Sequence, residues 1–383
     1  MKVLLVGEYN RAHHNIKLGL EKLGHEAKVV GLTDGFKKVE VDHQLKNHFE
    51  SGILKKLRVL VLKLFKTDLL GLHLKYQLKK HKSLLAGFDI LQFINEAPFG
   101  CDRKTQKDLF KSLINWNSSP FLLSCGTDYI SVSYAKSELL RYSILSPYHD
   151  GKGTKRDYAS ALSYLQPDHL TLHKFLFQRI KGVITNDLDY DIPMQNHPKY
   201  LGMIPHAINT GLLHFKEPVT DGRIVIFHGI NSHNYFKKGN DFFDKALAII
   251  QSKHNDKVEI ITTTNLPYKE YIKAFDRCHI LLDQVYAYDQ GFNALEAMAK
   301  GKVVFTGAEQ EFLDHYNLQE DQVAINALPD VDSIVYKLDW LILNPQNIVR
   351  IAKQARAFVE EHHDHVVCAR KYIKKWKSLI KVH

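Results

Sequence analysis

The sequence predicts an α/β protein with two domains, each a parallel sheet flanked by helices, and three observations carry that prediction. Its 383 residues exceed what one hydrophobic core usually supports. Short apolar runs alternate with helix-period segments along most of the chain, the pattern of parallel strands joined by crossover helices. Around 209–222 this alternation breaks and then restarts. The expected division is therefore 1–212 for the first domain, 213–365 for the second, and 366–383 for a terminal helix.

V-L-L-V-G, Val3 to Gly7, is an expected first strand; the run is too short and too soon broken for a signal peptide. Ile16 to Val30 reads as a helix ended near Gly24 and then a second strand, a βαβ opening. Further strands are expected within 89–94, 120–125, 181–186 and 200–205. The second run starts with R-I-V-I-F-H-G, 223–229. It continues with a helix at 242–252, a strand at 258–263, a helix at 269–276, a strand at 280–283, a helix at 293–300 and a strand at 302–306. Helices at 331–343 and 348–361 follow, and a basic helix at 366–380 carries Trp376.

Composition is that of a globular chain, 45% hydrophobic and 25% charged, and no apolar run approaches the roughly 20 residues of a membrane span. Cys101, Cys125, Cys278 and Cys368 lie far apart without a C-x-x-C pair, which argues against a disulfide framework or structural zinc and fits a reducing cytoplasm. The net charge of +10 is regional, because Lys37 to Lys82 holds twelve Lys or Arg against four Asp or Glu, a local +8. Within it, Ile53 to Lys66 and Leu72 to Lys82 mix apolar and basic residues as helices that rest on anionic lipid do. The same stretches suit ordinary helices with one apolar face in the core and lysines in water. No nucleic-acid motif accompanies the charge, so nucleic acid is not an expected partner.

The segment from Asp283 to Val304 reads as strand end, glycine turn, short helix and following strand, which is where a nucleotide sits in α/β folds. Backbone N–H groups at this helix start, from Gly291, Phe292 and Asn293, are candidates for holding phosphate, and Glu296 for accepting bonds from ribose hydroxyls. Asn293 with Glu296 three residues on also reads as a capping box. The turn after the first strand, Gly7 to His14, lacks the G-x-G-x-x-G of dinucleotide sites, and no G-x-x-x-x-G-K-[ST] occurs anywhere. A phosphate site is therefore expected in the second half.

G-F-N-A-L-E-A-M-A-K-G-K-V-V resembles the E-G-F-G-x-x-x-x-E-A-M-A-x-G-x-P-V-V segment of GT-B glycosyltransferases, in particular the retaining group called glycosyltransferase family 4. I-P-H-A-I-N (204–209), Y-F-K-K-G-N-D (235–241) and C-G-T-D (125–128) are similar to further segments of that family, in the same order. The resemblance implies two Rossmann-like domains facing across a cleft, with a final helix crossing back onto the first domain. A nucleotide-sugar donor would bind mainly to the second domain, and a glycan or lipid-linked acceptor to the first. No metal and no other cofactor is expected, because Lys238 beside the diphosphate would stabilise the leaving group; Lys237 is its immediate competitor. The resemblance implies donor contacts from Glu296, Gly291, Phe292 and Asn293; Asp289 is a candidate for the sugar, and His228 with Gly229, at the end of the second domain's first strand, for the phosphate. Asn10 and His13 fall on the acceptor side, while Asp128 and His14 are the catalytic candidates. His206 reads as a linker residue.

One position departs from the family. Its first glutamate corresponds to Tyr288, with Asp289 and Asp283 as the nearest acids. Glu360 to His365 invites a metal reading, but nothing like H-E-x-x-H is present, so solvated polar residues at a helix end are expected. The expected activity is transfer of a sugar with retention, in glycoconjugate or surface polysaccharide synthesis, in the cytoplasm or at the inner face of the membrane. The alternatives are a non-catalytic surface-binding protein of the same fold and a GT-B sugar-nucleotide epimerase.

Overall fold

The computed structural model describes residues 1–32 and 39–380, so Lys37 and Lys38 of the basic region lie outside the described residues. The first sheet has seven parallel strands: β1 (Lys2–Val6), β2 (Glu26–Gly31), β3 (His43–Gln44), β4 (Ile90–Phe93), β5 (Ser119–Ser124), β6 (Gly182–Thr185) and β7 (Tyr200–Met203), in the order β3-β2-β1-β4-β5-β6-β7. The second has five: β8 (Ile224–Ile230), β9 (Val258–Thr264), β10 (Ile280–Leu282), β11 (Val303–Thr306) and β12 (Ile325–Asn326), in the order β12-β11-β10-β8-β9. Both are helix-covered on two faces, which is why the strands read as continuous apolar runs. Alternate residues of β1 divide accordingly: Val3 and Leu5 pack with Phe121, Leu123 and Trp376, while Leu4 and Val6 pack with Leu91, Phe93 and Leu122.

The expected helices form with ends shifted by a few residues, for example Asn240–Lys253, Tyr268–Arg277, Phe292–Ala299 and Val331–Leu343. Helix Gln346–Phe358 does not simply stop: its last turn widens over Val359–His363, and Asp364 then caps helix His365–Lys377 by accepting from the N–H groups of Val366 and Val367. That last helix returns to the first domain and lies on helix Ala12–Lys22. Gly19 makes the approach possible, since a Cβ there would sit 2.1 Å from the His365 carbonyl oxygen. Trp376, fully buried, donates from Nε1 to Gln92 Oε1 at 3.2 Å.

The basic region splits. Helix Leu69–Lys80 buries Leu70, Leu74 and Leu78, as an ordinary core helix does, but helix Gly52–Phe65 buries no residue at all. No described helix is long and apolar enough to cross a membrane.

Candidate functional site

Parallel pairing brings the C-terminal ends of β8, β9 and β10 together, with Leu282 beside His228 and His228 beside Thr262. A cavity of about 760 Å³ opens there, lined by Gly229, Asn231, His233, Lys238, Asn265, Tyr271, Asp283, Gln284 and Gly291 to Asn293. Asn10 of the first domain closes its other side. The volume suits a nucleotide-sized ligand.

The turn 235–239 fixes Lys238. Gly239 adopts φ +69°, and a Cβ there would lie 2.5 Å from Val285 Cβ, so only glycine fits. The Lys238 carbonyl in turn accepts from Val285 N at 2.9 Å. Its ammonium then stands 3.0 Å from Asp283 Oδ1, while Asn293 Nδ2 donates to the same oxygen at 3.1 Å and Tyr271 Oη donates to Asn293 Oδ1 at 3.1 Å. Lys237 instead lines a separate hollow with Asp157 and Phe236. The one-residue ambiguity is thereby resolved toward Lys238 as the lysine of this cavity.

Helix Phe292–Ala299 starts at the cavity wall. Gly291, not Asn293, is its N-cap residue, and a glycine brings no capping side chain. The capping-box expectation is thus corrected: Asn293 Nδ2 and Oδ1 are committed to Asp283 and Tyr271. Gly291 has ordinary extended geometry, φ −76° and ψ 174°, with nothing within 4 Å of where a Cβ would stand. Its space opens into the cavity.

Glu296, one turn on, is buried and faces a neighbouring cavity of about 270 Å³ between the domains, together with Arg11, His14, Asn15 and Asn209. Burial, with Lys17 and Arg11 adding charge repulsion, holds the His14 imidazole below its ordinary value. Arg11 and Asn10 sit in left-handed backbone geometry, φ 74° and 51°, which turns the chain from β1 into its helix.

Four expected site residues lie elsewhere. His228 is fully buried beneath β8; its Nε2 donates to Asn240 Oδ1 at 2.9 Å and its Nδ1 lies 3.3 Å from Asp244. It points away from the cavity, whose edge is formed by the next residue, Gly229. His13 is also fully buried: Nδ1 donates to the Gly7 carbonyl at 2.8 Å, Nε2 accepts from Gln92 Nε2 at 3.3 Å, and Gln92 receives Trp376. Desolvation pushes its pKa down to about 3. Asp128 caps helix Tyr129–Lys136, accepting from Ser131 N at 2.7 Å and from Ser124 Oγ. A buried carboxylate so engaged holds a helix end, and it lines neither cavity.

Asp289 belongs to the domain contact. Its Oδ2 accepts from Leu188 N at 3.1 Å, and Asp189 Oδ2 accepts from Tyr288 N at 3.1 Å. Oxygens of Asp187, Asp189 and Asp289 gather within 4.8 Å of one another, the one group of metal-ligand type found among the described residues. Burial first, and then the charge of Asp187, raise Asp189 and Asp289 well above the carboxylate range, whereas His206 outweighs burial to lower Asp187. Tyr288, in place of the family's glutamate, turns its hydroxyl to accept from Arg141 N at 2.9 Å, and its ring lies under the Arg141 guanidinium.

The Glu360–His365 cluster is structural: His363 Nδ1 donates to the His206 carbonyl at 3.0 Å, and Asp364 accepts from Thr210 Oγ1 at 2.7 Å. His206 is more than a linker residue, since it stacks on Phe292 at 4.2 Å and accepts from Asn186 at 3.0 Å. Sequence reasoning missed Arg11, Asn231, His233, Tyr271 and Gln284, none of which stands in a motif.

Residues 239–374 match the family described as glycosyl transferase-like. No curated protein matches the sequence. Among solved structures, sucrose-phosphate synthase from Thermosynechococcus elongatus aligns with a TM-score of 0.61 at 13% identity, over 99% of each chain. HepE from Anabaena, in complex with UDP and glucose, aligns at 0.56 and 13% over 99% of this chain and 100% of its own. UDP-GlcNAc 2-epimerase from Neisseria meningitidis, bound to UDP-GlcNAc, aligns at 0.51 and 11% over 99% and 100%. At such identities the likeness shows the fold: two Rossmann-like domains in the GT-B arrangement.

Proposed function

We propose, from a GT-B fold whose second half matches the glycosyl transferase-like family, that this chain moves a sugar from a nucleoside-diphosphate donor to a glycan or lipid-linked acceptor. One observation carries the reading: Lys238 and the glycine-capped start of helix Phe292–Ala299 face one cavity, so a cation and a helix N-terminus converge where a diphosphate would lie. The structures of HepE with UDP and with UDP-glucose support a uridine nucleotide as the first ligand to try.

In this reading Lys238 exchanges its contact with Asp283 for the diphosphate and neutralises charge that develops as the sugar leaves, without a metal ion. Gly291, Phe292 and Asn293 offer backbone N–H groups. Glu296 and Arg11 border the adjoining cavity, and His14 there orients the acceptor hydroxyl. We favour retention, with the leaving phosphate assisting deprotonation, because Asp128, the expected base, is committed to capping helix Tyr129–Lys136. Synthesis of a surface polysaccharide or glycoconjugate, at the cytoplasmic side of a membrane, is the setting this implies.

Isothermal titration of UDP, GDP, ADP and CMP without metal, against wild type, Lys238→Ala and Glu296→Ala, tests the site. Selective binding of one diphosphate is expected, weakened roughly tenfold to a hundredfold in Lys238→Ala by loss of a charge-assisted contact. Binding that is indifferent to Lys238 would place the donor elsewhere. Slow hydrolysis of the matching nucleotide sugar without acceptor is also expected; its absence, with nucleotide binding intact, would favour the non-catalytic alternative.

A further inference from the structure

Helix Gly52–Phe65 is the anomaly of the molecule. It is 14 residues long and buries none of them. Ile53, Leu57, Leu60 and Leu64 recur at helical spacing along one stripe and are 83%, 43%, 53% and 65% exposed, and Phe65 at its end is 70% exposed. Lys56 and Lys63 flank that stripe on one side and Lys55 stands on the far face, and the helix holds no acidic residue. At a span of about 21 Å it is too short to cross a bilayer.

The helix is nevertheless tethered. Arg58 makes two hydrogen bonds to the buried carboxylate of Asp68, at 2.7 and 2.8 Å, and a third to the Gly100 carbonyl at 3.0 Å. Gly100 belongs to the loop that leaves the C-terminal end of β4, the end of the sheet that faces the cleft. Asp102, in the same loop, donates its N–H to Asp68 at 2.9 Å.

We infer that helix Gly52–Phe65 is a membrane-docking element that lies in the plane of an anionic lipid surface, with its leucine stripe among the acyl chains and its lysines at the headgroups. The charge pattern selects this occupant. A second copy of the same helix would set lysines against lysines, whereas an anionic headgroup layer supplies the missing counter-charge over the whole face. The tether through Arg58 and Asp68 then orients the first-domain side of the cleft toward the lipid. The inference is independent of the transferase reading, since nucleotide binding is read separately.

Sedimentation with vesicles of phosphatidylcholine alone, and of phosphatidylcholine with about one third phosphatidylglycerol, tests it. Wild type is expected to prefer the anionic vesicles and to lose them as salt is raised. Leu57→Glu, Leu60→Glu and Leu64→Glu together are expected to weaken that binding roughly tenfold or more, with circular dichroism, melting temperature and nucleotide binding unchanged because nothing buried is touched. Lys55→Glu with Lys56→Glu and Lys63→Glu should abolish the preference for anionic lipid. The inference fails if wild type binds neither vesicle, if the leucine variant binds as wild type does, or if the helix instead mediates self-association in the ultracentrifuge.

Discussion

Gly291 shows how one residue separates a binding role from a folding role. Its backbone angles are open to any residue and a Cβ meets no protein atom, so Gly291→Ala is expected to leave stability equal or raise it by up to about 1 kcal/mol. The added methyl enters the cavity, and if the proposed diphosphate binds there its affinity should fall. Thermal denaturation and titration of the same sample check both halves. Gly239 is the opposite case, because φ +69° and the contact with Val285 make glycine a requirement of the turn that carries Lys238. His228 marks where residue-level reading goes wrong: alternation along β8 sends it under the sheet, and only its neighbour Gly229 reaches the cavity edge.

At the scale of elements, the terminal helix His365–Lys377 joins the two halves through Trp376, which is buried against Phe121 and bonded to Gln92. Trp376→Ala is expected to destabilise the protein by about 3–5 kcal/mol, the range for emptying an aromatic site in a core. Chemical denaturation measures it; a loss under about 1 kcal/mol would mean that the helix docks without it. Strands and most helices were legible in the sequence because apolar runs and helical periods are local signals. The fate of the two basic segments was not, since both carry the same mixture of leucine and lysine. Leu69–Lys80 finds a core to bury its leucines and Gly52–Phe65 does not, which depends on what each helix meets in space.

Across the whole molecule, buried titratable groups set the response to acid. His13 and His363, normally near 6.5, are each pushed down to about 3, by burial first; Glu96, normally 4.5, falls to about 2 because bonds from His169 and His173 outweigh burial. All three folded values lie below the unfolded ones, so the unfolded chain binds more protons as pH falls. The contribution of the two histidines is complete above about pH 6.5 and is lost toward pH 3, at about 1.4 kcal/mol per pH unit each within that window; that of Glu96 is lost between about 4.5 and 2. Denaturation across pH is expected to show stability declining below pH 6.5, and His13→Gln with His363→Gln to flatten the slope between 6.5 and 4.5 and to leave below 4.5 the loss due to Glu96. An unchanged slope would show that both imidazoles already titrate normally in the folded state.

By itself the sequence determined the alternation of strands and helices, the break between two sheets, and the glycine turn and lysine that border the larger cavity, because each depends on residues close together in the chain. The tertiary structure alone decided which polar side chains face the cleft. Asp128, His13, His228 and Asp289 have the chemistry of site residues, yet each is drawn into the interior by partners that are only sometimes near in sequence: Ser124 and Ser131, Gly7 and Gln92, Asn240, and Leu188. A buried polar group must find such partners or lose them to water, and that competition is settled only when the whole chain has packed.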